Sequence, residues 1–495
     1  MKEMEDIKGS IASISPRIIL GLALCLGVGA LAMVSLRYGF LAGLVFSAVP
    51  FVLYLTLYLI KRPYWAYTCL FVVNYFIMGI VRYVPKLPGG IVIDALIMFS
   101  IMVLLIRSCY RRVGWERAWN GLSVAAFIWL LYCVLEVFNP MATPLGWATS
   151  IRGVAVYFFC ISVLTPIFFY RFKDFKRILV LWSVFTLLAV LKALVQKYHG
   201  FDTFEKIWLY ESGGMTTHII YSGIRYFSFY TDAGNFGSAM GLAMVVFSIA
   251  AIYFSGKKTR LYFLGVALAA AYGMMLSGTR GALAVPFAGY LIYLLISRQK
   301  RIIFLGAAAL LSGFVFLKYT DIGQSNAMIR RMRSAFDTED ASLNVRLNNQ
   351  KRIAEYIKDK PFGSGLGMGG GKAKAYAPTA YLSQIPTDSW FVMIWVETGI
   401  IGLVLHLGIL FYILFMGCYL VLFRLKDKQL RGLICAVIAG IFGVMVSAYG
   451  NEILGQLPTG IIIYMCAAFI FLSPRYDREL LERCAEKDED YEHHR

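Results

Sequence analysis

The sequence predicts an all-α polytopic membrane protein of about fourteen transmembrane helices, with a long, partly helical outer loop before the last spans. Three observations carry that expectation. Hydrophobic residues make up 59% of the 495 positions and charged residues only 16%, against averages of about 45–50% and about 25% in soluble domains. The mean hydropathy is +0.67. The apolar residues also gather in fourteen separate segments, and a spanning helix needs about 20 such residues. This composition excludes an ordinary soluble enzyme, a disordered chain and a disulfide scaffold.

In chain order the segments lie near 18–36, 40–60, 64–81, 91–106, 121–138, 153–170, 178–196, 233–254, 261–276, 282–296, 302–317, 397–423, 432–448 and 459–472. This gives an N-terminal piece at 1–17 and a bundle of about eleven spans in 18–317. A long polar stretch follows at 318–389, then the C-terminal spans in 390–472 and a tail at 473–495. The first segment is not read as a signal peptide, because no small-residue cleavage site follows it and another span comes at once.

Charge orients the bundle. With the N-terminus inside, the cytoplasmic connections hold 28 Lys and Arg, and the outer connections other than 318–389 hold 8. Short loops decide orientation, so both termini are expected in the cytoplasm. Much of the formal net charge of +19 is then a consequence of topology, and no nucleic-acid partner is implied. The cysteines agree. Cys25, Cys69, Cys133, Cys160, Cys418, Cys435 and Cys466 fall in spans, Cys109 and Cys484 in cytoplasmic pieces, and none in an outer loop. No pair has zinc spacing.

Two outer stretches are too long for hairpins, 197–232 and 318–389. Long loops in compact proteins are functional or disordered. Within the second, Ser342 is placed to cap a helix running to about Lys358, with Leu343, Leu347, Ala354 and Ile357 at helical spacing and Arg346, Lys351 and Arg352 among them. Pro361 and the glycine run from Gly363 to Gly371 end it. The helix reads as amphipathic, lying over the outer mouth of the bundle. Gly365–Gly370 fits G-x-G-x-x-G but follows a helix, so it carries no dinucleotide reading. Asp488-Glu-Asp490, His493 and His494 read as a solvated tail. Gly237 and Gly241, four apart, read as a close helix contact.

Three clusters suggest chemistry, since ions near the membrane are costly. The first runs from Arg225 through Asp232 to Asn235; an Arg225–Asp232 ion pair and a functional role weigh equally on pattern. The second is Ser277-Gly-Thr-Arg280-Gly281. A cation at a helix N-terminus is unfavourable by about 0.3–1 kcal/mol, yet beside free helical N–H groups it makes an anion site; a lipid-snorkelling arginine is the simpler reading. The third is Asp388, where the long loop re-enters the membrane, with Glu397 nine residues on. Burial would raise the Asp388 carboxyl pKa and suit it as a base; a helix N-cap is the simpler reading, and for Glu397 an internal ion pair or hydrogen bond. Arg152, Arg225, Arg280 and Arg346 together make four outer-face guanidinium groups, which bind phosphate in a bidentate way.

The ordered set RYFSFYTDAGNFG, SGTRG, NVRLNNQKRIAEYIKDKPFGSGLGMG and TDSWFVMIWVETGIIGL resembles the O-antigen ligase and O-antigen polymerase superfamily, best from about Arg225 to Leu405. The resemblance implies a membrane glycosyltransferase of GT-C-like architecture in the bacterial inner membrane, with its active face periplasmic. It implies a donor glycan on undecaprenyl pyrophosphate, contacted by Arg225, Arg280 and Arg346, and an acceptor that is lipid A-core or a growing glycan. Other polysaccharide-assembly proteins are implied as partners. Many ligases have His-Asn where this chain has Asp388-Ser389, and that histidine is thought to be the base. A polymerase of O-antigen, capsule or exopolysaccharide therefore competes with a strict ligase.

The chemistry expected is metal-independent glycosyl transfer without a cofactor. Asp388, Arg280 and Arg225 are the expected catalytic groups; Arg346, Arg152, Asp232, Asn235 and Glu397 are the expected substrate contacts. A flippase or transporter of lipid-linked glycans is the alternative, with Asp94, Glu136, Lys192 and His406 marking a path. It would favour internal repeats and mid-membrane sites, whereas no repeat is visible and the polar features cluster at one face. A non-catalytic scaffold would tolerate loss of the arginines.

Overall fold

The structure, a computed structural model, describes residues 27–33, 35–37, 39–84, 87–220, 223–336 and 341–493. Among them, ten helices are long and apolar enough to cross a membrane, and four shorter apolar helices accompany them. The chain is an all-α integral membrane protein. Each apolar segment of the sequence falls on one of these helices, because in hydrocarbon a helix is the open-ended element that bonds all its own backbone groups. The N-terminal piece 1–17 and the first part of segment 18–36 lie outside the described residues.

After a helical stretch within 27–37 come α1 (Phe40–Lys61), α2 (Pro63–Tyr83), α3 (Gly89–Ser108), α4 (Gly121–Leu135), α5 (Pro144–Phe168), α6 (Phe172–Tyr198) and the short α7 (Thr203–Tyr210). Next are α8 (Ala233–Tyr253), α9 (Lys257–Leu276), α10 (Ala284–Ile296), α11 (Lys300–Tyr319), α12 (Ala327–Arg333) and α13 (Ala341–Ile357). The last are α14 (Trp390–Tyr419), α15 (Lys428–Ser447) and α16 (Thr459–His493). A two-residue antiparallel ladder pairs Ile219–Ile220 with Gly223–Ile224.

The chain divides into two compact units, 1–66 with 102–111, and 67–101 with 112–495. In the first unit, α1 exposes most of its apolar side chains, among them Phe51, Tyr54 and Leu57. The second unit holds every candidate site residue. At its centre α8 packs on α9 and α15, and α15 on α10. Small residues permit the approach, as their spacing predicted: a Cβ on Gly237 would lie 2.2 Å from Ser277 Oγ, and one on Gly241 would lie 2.9 Å from Val285 Cβ.

Three boundaries differ from expectation. α5 starts at Pro144, where the Thr143 hydroxyl accepts from the Gly146 N–H at 3.2 Å, and passes through a π-helical turn at Arg152–Val156. Arg152 is thus inside a helix. α14 starts at Trp390, seven residues before Glu397, and breaks at Gly399. α16 continues past residue 472, and its Asp477 carboxylate accepts from the N–H groups of Lys426 and Asp427. The loop helix α13 forms where expected, but its buried face is Ile353 and Ile357 on Leu382, Ile385, Val392 and Val396; Leu347 is exposed. The Ser342 side chain lies outside the described residues, as do the side chains of Asp488, Asp490, His493 and His494.

Candidate active site

The loops 199–232, 277–283, 320–389 and 448–458 meet where α8, α10, α14 and α16 begin. Arg225 leads into α8. Its guanidinium donates to the Thr217 carbonyl at 2.9 Å, the Thr279 hydroxyl at 2.7 Å and the Ser277 carbonyl at 3.4 Å. The Thr279 hydroxyl donates in turn to the Ala233 carbonyl at 2.9 Å. Arg225 therefore ties the 277–281 hairpin to the first turn of α8. Burial pulls the Arg225 pKa below its ordinary value; Asp232 opposes this, and the charges of Arg280 and Arg346 add to it. Among the described residues Arg225 and Asp232 form no ion pair. Asp232 instead caps α8, with Oδ1 accepting from the Asn235 N–H at 2.9 Å.

Arg280 stands at the head of the 3-10 turn Arg280–Leu283 that opens α10, the helix-start position expected of it. It donates to the Ser334 carbonyl and hydroxyl at 3.5 Å each. Arg331, which the sequence reading did not single out, donates from α12 to the Gly278 carbonyl. A groove of about 820 Å³ begins here, with Arg280, Ser334 and Arg346 among its lining residues. One wall is a face of α10 (Ala284, Phe287, Leu291, Leu294) and the other a face of α11 (Ala307, Leu310, Leu311, Phe314). From Arg280 to Leu294 the helix rises about 20 Å. Leu291 is 53% and Leu311 64% exposed, so the groove opens sideways.

Asp388 is not the cap of α14; Ser389 is, with its hydroxyl facing the Val392 N–H at 3.5 Å. Asp388 itself takes a φ of 51°, a left-handed conformation that costs a non-glycine residue roughly 1–3 kcal/mol. Burial raises its carboxyl pKa above the ordinary value; Arg346 offsets part of the rise and Glu452 adds to it. Glu452 accepts from the Thr387 hydroxyl and, at 3.0 Å, from Lys372 Nζ. A carboxyl whose pKa is raised by burial is a stronger base than an ordinary aspartate, which suits it to take a hydroxyl proton.

The site thus gathers Arg225, Arg280, Arg346, Asp232 and Asp388. Two other expected contacts are engaged elsewhere. Arg152 forms an ion pair with Asp94 at 3.2 Å, because the π turn of α5 aims it at α3. Asn235 is buried and bonds only within the fold: its amide donates to the Thr231 hydroxyl at 2.8 Å and the Leu457 carbonyl at 2.9 Å, and accepts from Thr459. Glu397 is 3% exposed; Oε1 accepts from the Gly369 N–H at 3.3 Å, and Oε2 has no partner. The glycine run earns its composition here. Gly363 and Gly399 have φ of 73° and 67°, and a Cβ on Gly363 would lie 2.4 Å from the Gly399 nitrogen. The strap wedges into the break in α14.

His218, the histidine on the same loop as Arg225, is held at both nitrogens. Nδ1 lies 2.9 Å from the Gly214 carbonyl and Nε2 accepts from the Ala233 N–H at 3.1 Å. Burial lowers its pKa to about 4, so it stays neutral. The sequence reading also passed over Asn451 and Glu452. Asn451 Nδ2 is buried without a partner, 2.6 Å from where a Gly281 Cβ would be. The available signal was a polar pair in a loop, 449–458, that holds no Lys or Arg.

Residues 265–407 match the family model described as O-antigen ligase. That stretch contains Arg280, Arg346, Asp388 and Glu397, and omits Arg225 and Asp232. An O-antigen polymerase of Salmonella muenchen is 24% identical over 343 residues, which are 65% of this chain and 81% of that protein.

Proposed function

We propose that the chain, which is similar to the O-antigen ligase family over residues 265–407 and to an O-antigen polymerase, is a glycosyltransferase of surface-polysaccharide assembly in the bacterial inner membrane. It moves a glycan from undecaprenyl pyrophosphate to an acceptor hydroxyl at the periplasmic face, as a ligase or a polymerase, without a metal ion. The observation that carries this reading is the groove. It is apolar along α10 and α11, opens sideways, and has Arg280 and Arg346 at one end. A polyprenyl pyrophosphate has the matching form: a long apolar tail and a compact anion.

In the reaction the acceptor hydroxyl oxygen attacks the anomeric carbon. The bond from that carbon to the pyrophosphate oxygen breaks, and undecaprenyl pyrophosphate leaves with the electron pair. Asp388 takes the hydroxyl proton and later returns it to water. Arg280 and Arg346 meet the charge that grows on the leaving group, and Arg225 holds the 277–281 hairpin that carries Arg280. Stabilising developing charge in a water-poor site is commonly the largest single catalytic contribution. Arg152 and Asn235, already bonded within the fold, would contribute through structure rather than contact.

The test is a deletion strain, with its surface glycan and lipid-linked intermediates extracted together. Polymer retained on undecaprenyl pyrophosphate beside bare acceptor is the ligase outcome. Single repeat units without long chains are the polymerase outcome. Units trapped on the cytoplasmic side would overturn transfer in favour of flipping.

A further inference from the structure

A second cavity lies in the same unit and shares no lining residue with the groove. Its volume is about 370 Å³, the small end of ligand pockets. One wall is a face of α14, where Trp390, Met393 and Glu397 are spaced three and four apart. Thr149 and Ser150 of α5 face it, and Lys372 and Tyr376 close it from the loop.

Glu397 decides what this cavity can hold. Its side chain is nine-tenths or more buried, and Oε2 lacks a donor. A buried carboxylate oxygen left without a donor is costly, so the cavity calls for a hydrogen-bond donor from a ligand. The only cation in the lining, Lys372, is bound to Glu452. A pyrophosphate would meet the Glu397 carboxylate with no uncommitted cation to offset it. A polyprenyl tail would leave the carboxylate unsatisfied. A sugar ring satisfies both demands: its C–H face lies on Trp390 or Tyr376, and its hydroxyls reach Glu397, Thr149 and Ser150.

The cavity is also wired to the base. Lys372 reaches Glu452, and Asp388 feels the charges of both Glu452 and Arg346. The Thr387–Asp388 turn thus interacts with groups tied to both the cavity and the groove. We infer that this cavity is the acceptor subsite: it takes a sugar ring of the acceptor glycan, and Glu397 accepts a hydrogen bond from a ring hydroxyl and aims the chain at Asp388. The inference rests on the transferase reading above.

The test uses the full-length protein in nanodiscs, with carrier-linked donor and repeat-unit oligosaccharide released from the host polysaccharide. Glu397→Gln keeps the Gly369 hydrogen bond but removes the charge; Ser150→Trp fills the cavity. Both should raise the acceptor KM about tenfold or more, the scale of one hydrogen bond to a charged group, with donor KM and kcat within about twofold. Oligosaccharide binding measured by saturation-transfer NMR without donor should weaken in parallel. An unchanged acceptor KM in both variants, a rise in donor KM instead, or no saturable oligosaccharide binding by the unaltered protein overturns the inference. Saturable binding that Glu397→Gln weakens, in a protein that transfers nothing, supports the cavity and overturns the transferase reading.

Discussion

The α10–α11 groove and the Glu397 cavity differ in chemistry, and the turn at residues 387–389 interacts with groups tied to each: Thr387 bonds Glu452, which also holds Lys372 of the cavity lining, and Asp388 feels the charge of Arg346 of the groove lining. The groove is large, apolar and open, with arginines at its end. The cavity is less than half its volume, mixes polar with apolar and aromatic lining, and holds the buried Glu397 carboxyl. Their charged groups differ: the groove end carries two arginines, whereas the cavity carries Glu397 and a Lys372 already paired with Glu452, so a phosphate suits the first and a hydroxyl-rich ring the second. A transferase must keep two glycan chains apart by something other than their sugars, which are alike. In the proposed reaction the discriminating parts would be the anion and lipid on one side and the Glu397 carboxyl on the other. The turn between them bears the group that would move the proton.

Breaking the groove side should have the largest effect. Arg280→Ala and Arg225→Ala are expected to leave no detectable glycan product in a complemented deletion strain, scored by gel and lipid extraction. Arg280→Lys keeps the charge but loses the bidentate fork, so a partial loss is expected. The two alanine variants should separate in purified protein: Arg280→Ala loses donor binding, while Arg225→Ala also lowers thermal stability, since Arg225 holds the hairpin through two hydrogen bonds and its own loop through a third.

Breaking the turn should come next. Asp388→Asn is expected to lower kcat about 10²–10⁴-fold, the usual contribution of a general base, with donor binding retained. Full polymer from both Asp388→Asn and Arg280→Lys would show that this turn and this hairpin are not the reacting centre.

The two regions also differed in how legible they were. Apolar runs mark helices directly, so the spans could be read by length alone. Arg280 stood out because a cation at a helix start on the side read as outer goes against both the sidedness rule and the helix dipole, and Arg225 and Arg346 joined it as further guanidinium groups read on that side. The groove itself was invisible: Leu291 and Leu311 look like any lipid-facing leucine until two helix faces are set side by side. On the cavity side, Glu397 was conspicuous, whereas Thr149, Ser150 and Tyr376 are ordinary residues brought together only by the fold. Arg152 misled for a related reason. Its position after an outer loop suggested the shared face, but the π turn redirects it to Asp94, and a one-residue helical irregularity leaves no trace in hydropathy.

The glycine strap offers a smaller effect that tests the link between the regions. Gly399→Ala places a side chain at φ 67°, with its Cβ 2.0 Å from the Pro361 carbonyl oxygen. The left-handed conformation alone costs about 1–3 kcal/mol, so the melting temperature of the detergent-purified protein should fall. Because the strap also carries Gly369, which bonds Glu397, acceptor KM should rise with it. Leu347→Ala, on the exposed face of α13, should leave both unchanged.

The finest test is the pH profile. Asp388 must be ionised to accept a proton, so activity should fall as pH drops through its pKa, and burial places that acid limb above the range of an ordinary aspartate. Glu452 raises the Asp388 pKa and Arg346 lowers it. Glu452→Gln removes a negative charge, makes the Asp388 proton easier to lose and should move the acid limb of kcat/KM to lower pH, by up to about one unit. Arg346→Gln should move it the other way, on top of weaker donor binding. The glutamine keeps one oxygen, which can still accept from Thr387, and gives up the bond from the exposed Lys372, so a shift without loss of expression separates charge from most of the scaffold. A limb that stays fixed in both variants would mean that the titrating group is not at the turn between groove and cavity.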